Sequence, residues 1–424
     1  MSLVKNKVNN AAAEFKRTKL ISNLKKSAIK PNFPEDKVPN GDPYGFEGQM
    51  DRIHFIQNKL DISLDQLKGK NPFADHCQLK GNIENYIGMT QIPTGIVGPI
   101  AINGSVAKGD FYVPLATTEG ALVASYGRGM KACRASGKIT SVCILEGVQR
   151  SPFFKFNNMT ELGKFVLWVL DQVETFKVIT TQNSNYAKLN ELKVNIEGNS
   201  VILTFEYKTG DAAGQNMVTI CTNEICKYII AKAPIKPILW FIESNYSGDK
   251  KATALSFTSI RGKKVCAEII IPKDIVSSVL KSTPEQINKY WIASTIGVIQ
   301  SGSIGAQGHI ANGLTALFLA CGQDVACISE ASIGITRLEV TENGDLYASV
   351  TLPALIVGTV GGGTQLPTQK ECLDILDCQG KGSARKFAEI CAAVVLAGEI
   401  SIAAAIAEGH FVNAHKMLGR KSKL

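Results

Sequence analysis

The chain has 424 residues, 45% of them hydrophobic and 20% charged. These values exclude a wholly disordered protein, and at roughly 150 residues per domain the length predicts two or three domains. The net charge of +9 is concentrated at the ends, since residues 1–40 carry nine basic and three acidic residues and residues 416–424 carry four basic residues and no acid. Such basic ends are usually solvated tails. A nucleic-acid-binding function is disfavoured, because that class of protein spreads its basic charge over a folded face.

The cysteines and the apolar runs indicate the compartment. The 11 cysteines are scattered, several lie in apolar runs, and none forms a C-x-x-C pair. This pattern predicts reduced, buried thiols in a cytoplasmic protein without a metal site. The N-terminus has no signal-peptide core, and the apolar run at 390–407 is interrupted by Glu399, short of the ~18 residues that a membrane span needs. We therefore expect no membrane anchor.

Taken in chain order, the periodicity and the turn residues predict a mixed α+β protein with an inserted domain. The elements expected before the insert are a helix at 51–68, a loop or edge strand at 92–100, a strand at 111–115, a helix capped by Thr117 or Thr118 that ends near 133, and a strand at 139–145. Within the insert we expect a helix at 160–175, a hairpin whose second strand is 201–207, and a helix ending near 231. After it come a strand at 265–271, helices at 273–281 and through 283–320, strands through 345–357, and helices from 384 to about 413.

These elements predict a division into four parts. They are a basic lead-in at 1–50, a large domain at 51–151 and 243–415, a small insert at 152–242, and a basic tail at 416–424.

Two glycine-containing loops are candidate anion sites. In the segment YKTGDAAGQNM (207–217) a strand enters a glycine turn and then a helix, whose free N–H groups suit a phosphate. The segment GTVGGGT (358–364) has three consecutive glycines, which allow a ligand to approach the backbone. The alternatives are an Asp cap on a helix for the first and a flexible turn for the second. Neither segment is the G-x-G-x-x-G motif of a Rossmann fold.

Four further segments contain residues suited to proton transfer. They are TTEG with Glu119, NYSGDKK with Asp249 and Lys250, GQD with Asp324, and GHFVNAH with His415. Singly, these read as a helix cap, a surface turn, a helix C-terminal turn and a structural histidine. Taken together with the two glycine loops, the set suits reduction of a carbonyl by a nicotinamide cofactor. The lysine would stabilise an oxyanion while the acids and the histidine move protons.

Six segments resemble one family, the 3-hydroxy-3-methylglutaryl-CoA reductases, in their class I branch. They are ENYIG (84–88), VPLATTEGALVAS (113–125), GDAAGQNM (210–217), ACGQD (320–324), GTVGGGT (358–364) and LAGEIS (396–401). The resemblance covers about residues 50–424 in the expected order. It implies reduction of the hydroxymethylglutaryl thioester to mevalonate and CoA with two NADPH, for isoprenoid biosynthesis, by a soluble form without an anchor.

The resemblance also implies residue roles. Lys250 would stabilise the thioester and aldehyde oxygens, Glu119 in a network with Asp324 would supply protons, and His415 would protonate the departing CoA thiolate. Contacts to the substrate or to CoA are expected at Ser125, Arg128, Arg150, Asp249, Lys251 and Asn312. Contacts to the cofactor are expected at Asp211, Gly214, Asn216, Gly361, Gly362, Gly363, Thr364 and Arg420.

The architecture implied is a large domain around a long central helix, taken as 291–319, with the insert as a small ferredoxin-like cofactor domain. Active sites of the family form between subunits, so at least a homodimer is expected.

Departures from the family pattern leave alternatives open. Glu243 stands where a serine is usual, Ala293 where a carboxylate-binding lysine is usual, and Asn185 where an arginine would meet the 2′-phosphate of the cofactor. The chain could therefore use NADH, or could reduce a different acyl-CoA. A third possibility is a non-catalytic relative that binds CoA or a nucleotide.

Overall fold

The computed structural model describes residues 37–39, 46–69, 79, 82–85 and 89–409. Its main feature is an eight-stranded sheet in the order β7-β4-β6-β3-β8-β10-β9, with β5 pairing to β6, and a separate hairpin β1-β2. The strands are β1 Thr94–Asn103, β2 Lys108–Ala116, β3 Thr140–Arg150, β4 Phe153–Lys155, β5 Lys188–Glu197, β6 Ser200–Lys208, β7 Leu239–Phe241, β8 Gly262–Ile271, β9 Ile335–Val340 and β10 Leu346–Leu355. All pairings between these strands are antiparallel.

The helices are distributed along the described chain, before, between and after the strands. They are α1 Phe46–Leu60, α2 Leu122–Ala135, α3 Met159–Asp171, α4 Val173–Asn183, α5 Gln215–Lys232, α6 Pro284–Ser301, α7 Ile310–Ala320, α8 Pro367–Ile375 and α9 Ser383–Ala407. Short helical turns add Ala254–Phe257, Lys273–Ile275 leading into Val276–Leu280, Val325–Cys327, Ile328–Ala331 and Gly362–Gln365. The fold is therefore a mixed α+β fold.

The long buried helix is not where the family resemblance implied it. The segment 291–319 is broken, because Gly302 takes a left-handed conformation at φ 72° and ends α6 eight residues before α7 begins. The 25-residue helix is α9, and it packs against α2, α6, α7 and the strands β3, β8 and β10. The family resemblance had implied one long helix here, but Gly302 ends it in the middle.

Helix α9 forms the centre of the larger hydrophobic core. Small residues allow close approach: a Cβ on Gly129 of α2 would lie 1.8 Å from the carbonyl oxygen of Ala397 on α9. Within the described residues α9 is one helix with the length and composition to cross a membrane, and 83% of its most apolar window is buried inside the protein. Glu399 therefore does not interrupt the helix, and burial against neighbouring elements accounts for its apolar composition.

A second hydrophobic core lies between Val148 and Ala233. Its elements follow one another as β4, α3 with α4, β5, β6, α5 and β7, and its four strands lie in the order β7-β4-β6-β5. These elements form a β-α-β-β-α-β succession in which every pairing between neighbouring strands is antiparallel. The end of β3 pairs with β6, so one sheet runs through both cores.

Candidate active site

The centre of the candidate site is an ion pair between Lys250 and Asp324, whose Nζ and Oδ2 atoms are 2.9 Å apart. Lys250 lies on the loop after β7, and Asp324 lies on the turn after α7. The hydrogen bond to Asp324 raises the pKa of the Lys250 ammonium. Both side chains are nearly half exposed, at 44% and 46%. The pair therefore presents a protonated amine that an electron-rich oxygen can reach from solvent.

Glu119 belongs to a second cluster, at the other end of α7. Both of its carboxylate oxygens accept hydrogen bonds from Nδ2 of Asn312, at 3.2 and 3.0 Å. Asn312 lies in the first turn of α7, so about 12 Å of helix separates it from the end that leads to Asp324. Among the described residues, no hydrogen bond joins Glu119 to Asp324 within one chain. The predicted network between these two acids thus stays a prediction.

The turn that carries Glu119 also differs from the sequence expectation. The hydroxyl of Thr117 accepts a hydrogen bond from the backbone N–H of Glu119 at 3.0 Å. Helix α2 begins only at Leu122, after Ala121 at φ 69°, and no side chain caps it. The predicted cap at Thr117 or Thr118 is therefore wrong, and Glu119 lies in the preceding turn rather than in the helix.

The buried carboxylate of Glu399, on α9, fixes the start of α7. It accepts hydrogen bonds from the backbone N–H groups of Gly308 and His309 at 2.7 Å each, from the ring of His309 at 3.1 Å, and from the hydroxyl of Thr336 at 2.8 Å. Burial by itself would raise the pKa of Glu399, but the hydrogen bonds and charge of His309 hold it below its usual value. This anchor orients the helix turn that presents Asn312.

Three loops meet beside Asp324. A Cβ on Gly322 would lie 2.2 Å from the carbonyl oxygen of Gly363, and one on Gly358 would lie 2.4 Å from the backbone nitrogen of Ala213. The loops 209–214, 322–324 and 358–364 are therefore in close backbone contact. Gly361 and Gly362 have positive φ and are exposed, and apart from the adjacent residues in the chain no atom of the described residues comes within 4 Å of the position that a Cβ would take on either.

The N-terminus of α5 adjoins these loops. Gly214 is its N-cap at φ 84°, without a side-chain cap, and the exposed Asn216 lies in its first turn. Uncapped N–H groups at a helix N-terminus suit an anion. Thr364, by contrast, is buried and its hydroxyl donates to the carbonyl of Gly361 at 2.7 Å. The two glycine loops predicted separately from the sequence thus lie together.

The carboxylate of Asp211 contacts the central helix. Its two oxygens accept hydrogen bonds from the backbone N–H groups of Gly382 at 2.9 Å and Ala384 at 3.0 Å, at the N-terminus of α9. Its own carbonyl accepts from the N–H of Thr359 at 2.8 Å. Asp211 therefore caps the distant helix α9, whereas the cap that the sequence left open concerned the helix that follows this segment, which has no side-chain cap.

Two predicted substrate contacts on α2 face α9. The hydroxyl groups of Ser125 and Ser401 are 3.1 Å apart, and Nε and Nη2 of Arg128 donate to the hydroxyl and the carbonyl of Ser401 at 3.1 and 2.6 Å. The structure places these residues together at Ser401, two positions after Glu399 on α9.

A charged network supports the Lys250 loop. Nη1 of Arg150 lies 3.0 Å from both Glu243 and Asp249, and Nη2 of Arg261 lies 2.6 Å from the other oxygen of Asp249. Lys251 is exposed, and its ammonium donates to the carbonyl of Asp249 at 2.9 Å. The sequence analysis did not predict Arg261 as a site residue. Its position directly before the apolar strand β8 was the one local feature that could have indicated a buried charge.

Some of the predicted residues lie outside the described part of the chain. They are His415, Arg420 and residues 86–88 of the ENYIG motif. Within the part of the chain that is described, ten cysteines are free and no group of three metal-ligating side chains occurs.

Comparison with known proteins defines the family of this fold and site. The family model for hydroxymethylglutaryl-coenzyme A reductase matches residues 49–420. A 3-hydroxy-3-methylglutaryl-coenzyme A reductase of Pyrococcus abyssi is 45% identical over 372 residues, covering 86% of this chain and 91% of the relative. The enzyme of Pyrococcus horikoshii is 46% identical, covering 86% and 90%. The chain belongs to the hydroxymethylglutaryl-coenzyme A reductase family.

A solved structure has the same fold at low sequence identity. It is a class II 3-hydroxy-3-methylglutaryl-CoA reductase from Streptococcus pneumoniae bound to NADPH in open conformations, 18% identical with a TM-score of 0.68. The match covers 84% of this chain and 96% of that one.

Proposed function

We propose that this protein reduces (S)-3-hydroxy-3-methylglutaryl-CoA to mevalonate and CoA with two NADPH, for isoprenoid biosynthesis. The observation that carries the proposal is the Lys250–Asp324 ion pair beside the glycine loop 358–364. An exposed ammonium that stays protonated at neutral pH is the group needed where negative charge develops on a carbonyl oxygen. Family membership and similarity to archaeal reductases support the same reaction.

Each side chain has a distinct role in this proposal. Lys250 donates a hydrogen bond to the thioester oxygen, and then to the aldehyde oxygen, as charge develops. Asp324 holds the Lys250 ammonium in place and keeps it protonated. Glu119, oriented by Asn312, supplies protons. His415 protonates the departing CoA thiolate, which would otherwise attack the aldehyde again.

The cofactor would be held by the exposed Gly361 and Gly362, by the backbone of Gly363, and by the N-terminus of α5 at Gly214 and Asn216. NADPH, when bound, supplies hydride. The open space at Gly361 and Gly362 and the uncapped helix N-terminus fit a phosphate-bearing nucleotide. Arg420 is proposed to approach the 2′-phosphate. Asp211 serves this site indirectly, because its carboxylate is engaged at α9.

The domain division is proposed along the two hydrophobic cores. We assign 152–242 as the cofactor domain and 51–151 with 243–415 as the substrate-binding domain, with basic ends at 1–50 and 416–424. The ferredoxin-like strand order and the antiparallel pairing support this division and argue against a Rossmann fold, whose sheet is mostly parallel. A cytoplasmic location stays a prediction from cysteine usage.

We further propose that the active site is shared between two copies of the chain. Glu119 and the Lys250–Asp324 pair lie at opposite ends of α7, so a second copy is needed to bring a Glu119 to the pair. Three isoleucines on α6, at 292, 296 and 299, are exposed at helical spacing and offer an apolar face for such contact. Mixing inactive Glu119→Gln and Lys250→Ala proteins should restore turnover if the site is shared, and should restore none if each chain is complete.

A second candidate is reduction of an acyl-CoA without a free carboxylate. Glu243 places its carboxylate on Arg150 at 3.0 Å, so the charge of this arginine is already neutralised. Ala293 supplies no charge to a substrate carboxylate. These two residues favour a neutral acyl group over hydroxymethylglutaryl.

The deciding measurement is loss of nicotinamide absorbance with purified protein, hydroxymethylglutaryl-CoA and NADPH, with NADH in parallel. Two cofactors consumed per CoA released would establish the first candidate. Turnover only with acyl-CoAs that lack the carboxylate would favour the second. Binding of cofactor without turnover of any acyl-CoA would instead indicate a non-catalytic relative.

A further inference from the structure

A buried ion pair lies directly behind the Lys250 loop. Arg261 and Glu330 have side-chain exposures of 1% and 0%, and Nε of the arginine lies 2.7 Å from Oε2 of the glutamate. Arg261 is also bonded to Asp249, next to Lys250 in the chain. Buried charges of this kind are retained only with good partners, and both are well paired here.

The pair is connected to the backbone of Lys250. The N–H of Lys250 donates a hydrogen bond to Oε1 of Glu330 at 3.1 Å. Lys250 has φ 56°, a left-handed conformation that is unfavourable for a residue with a side chain. Such a conformation persists only where its surroundings hold it. Two successive residues of this turn are therefore held in place. Arg261 binds the side chain of Asp249, and Glu330 binds the backbone N–H of Lys250.

The same glutamate is carried by the segment that carries Asp324. Asp324 caps the helical turn Val325–Cys327, which continues into Ile328–Ala331 with Glu330 inside it. Lys250 is thus attached to one short segment twice, through its backbone at Glu330 and through its ammonium at Asp324. This double attachment sets the separation between the amine and the carboxylate.

We propose that Arg261 and Glu330 are positioning residues that hold the Lys250 backbone in its left-handed turn, so that the ammonium meets Asp324 and points at the reacting oxygen. The catalytic part of this inference rests on the proposed function. The positioning part concerns the geometry of Lys250 and can be tested without turnover.

The test replaces the ion pair by apolar side chains, in the variant R261M/E330L. Apolar replacement of a buried pair is often neutral for stability, so the variant separates positioning from folding. The variant removes the Glu330 carboxylate, which accepts the hydrogen bond from the N–H of Lys250. It also removes the Arg261 guanidinium, which bonds the carboxylate of Asp249. The matched control is K193M/E206L, which removes a second ion pair with a fully buried carboxylate, on the neighbouring strands β5 and β6. E330Q provides a milder variant that can be measured if the double variant does not fold.

The first readout is the reactivity of the Lys250 amine, measured by competitive acetylation with acetic anhydride and mass spectrometry. At about pH 9 an ordinary lysine is partly free amine, whereas the bond to Asp324 raises the pKa of Lys250 and protects it. We expect acetylation of Lys250, relative to Lys251, to increase several-fold in R261M/E330L and to be unchanged in the control. Unchanged acetylation in a folded variant would overturn the proposal, whether or not the wild-type protein has activity.

The second readout is steady-state kinetics. If the wild-type protein reduces the substrate, kcat should fall by on the order of 10- to 100-fold in R261M/E330L, with little change in KM, because a misplaced group mainly weakens transition-state contacts. A melting temperature close to the wild type would exclude general unfolding as the cause. A full kcat in this variant would refute the catalytic part, while an inactive wild-type protein would count against the proposed function alone.

Discussion

Replacing Asp211 tests whether this residue caps the central helix or binds cofactor. In the variant Asp211→Ala the backbone N–H groups of Gly382 and Ala384 lose their acceptors, which now lie at 2.9 and 3.0 Å. Loss of an N-cap costs about 0.5–2 kcal/mol, and loss of a negative charge at a helix N-terminus costs about 0.3–1 kcal/mol more. We therefore expect a destabilisation of roughly 1–3 kcal/mol.

The assay is amide hydrogen exchange in the first turn of α9, supported by the urea midpoint. A loss of about 1–3 kcal/mol lowers the protection of these two amides by about 5- to 150-fold. Asp377→Asn is the control, since this carboxylate bonds Lys386 of the same helix but is 87% exposed and should cost little. Wild-type protection together with weakened NADPH binding would refute the cap and favour a direct cofactor contact.

Three further predictions concern the Lys250–Asp324 ion pair, the buried carboxylate of Glu399, and the backbone contact between Gly322 and the glycine loop 358–364. Lys250→Ala should reduce kcat by at least about 100-fold while the protein stays folded, since it removes the proposed oxyanion donor; retained turnover would refute its role. Because the folded-state pKa of Glu399 is held below its unfolded value, its stabilising effect is present above about pH 4.3 and is lost as the pH falls through the folded pKa. Glu399→Gln should therefore lower stability at neutral pH and flatten the acid limb of urea midpoints, and an unchanged acid limb would contradict this. Gly322→Ala should destabilise the protein more than Gly344→Ala, because both have positive φ but only the first meets a backbone atom, at 2.2 Å; equal thermal shifts would argue against the loop contact.

Local sequence patterns were sufficient to predict many of the helices and strands. Strand β6 was expected at 201–207 and forms at Ser200–Lys208, and α3 was expected at 160–175 and forms at Met159–Asp171. Their alternating or helical periodicity is a local property, so no distant contact is needed to read it. The helix break at Gly302 also had a local signal, the glycine itself, whereas the long helix at 291–319 had been implied by the family resemblance.

Contacts between distant segments could not be read in this way. Asp211 and Ala384 are 173 positions apart, and Glu119 and Asn312 are 193 apart. Each of these side chains has several possible partners, and only packing of the helices selects one. No sequence motif indicated Glu330, because its role depends on its ion pair with the buried Arg261.

The sequence by itself determined the family and the α+β class, and it supplied the candidate set of reactive side chains, because motif residues and periodicity are local features of the chain. Only the tertiary structure decided that α9 is the central helix, that the two glycine loops meet beside Asp324, and that Lys250 is held at its backbone as well as its ammonium. These features arise from close contacts between segments far apart in the chain, where packing fixes a geometry that local propensity does not specify.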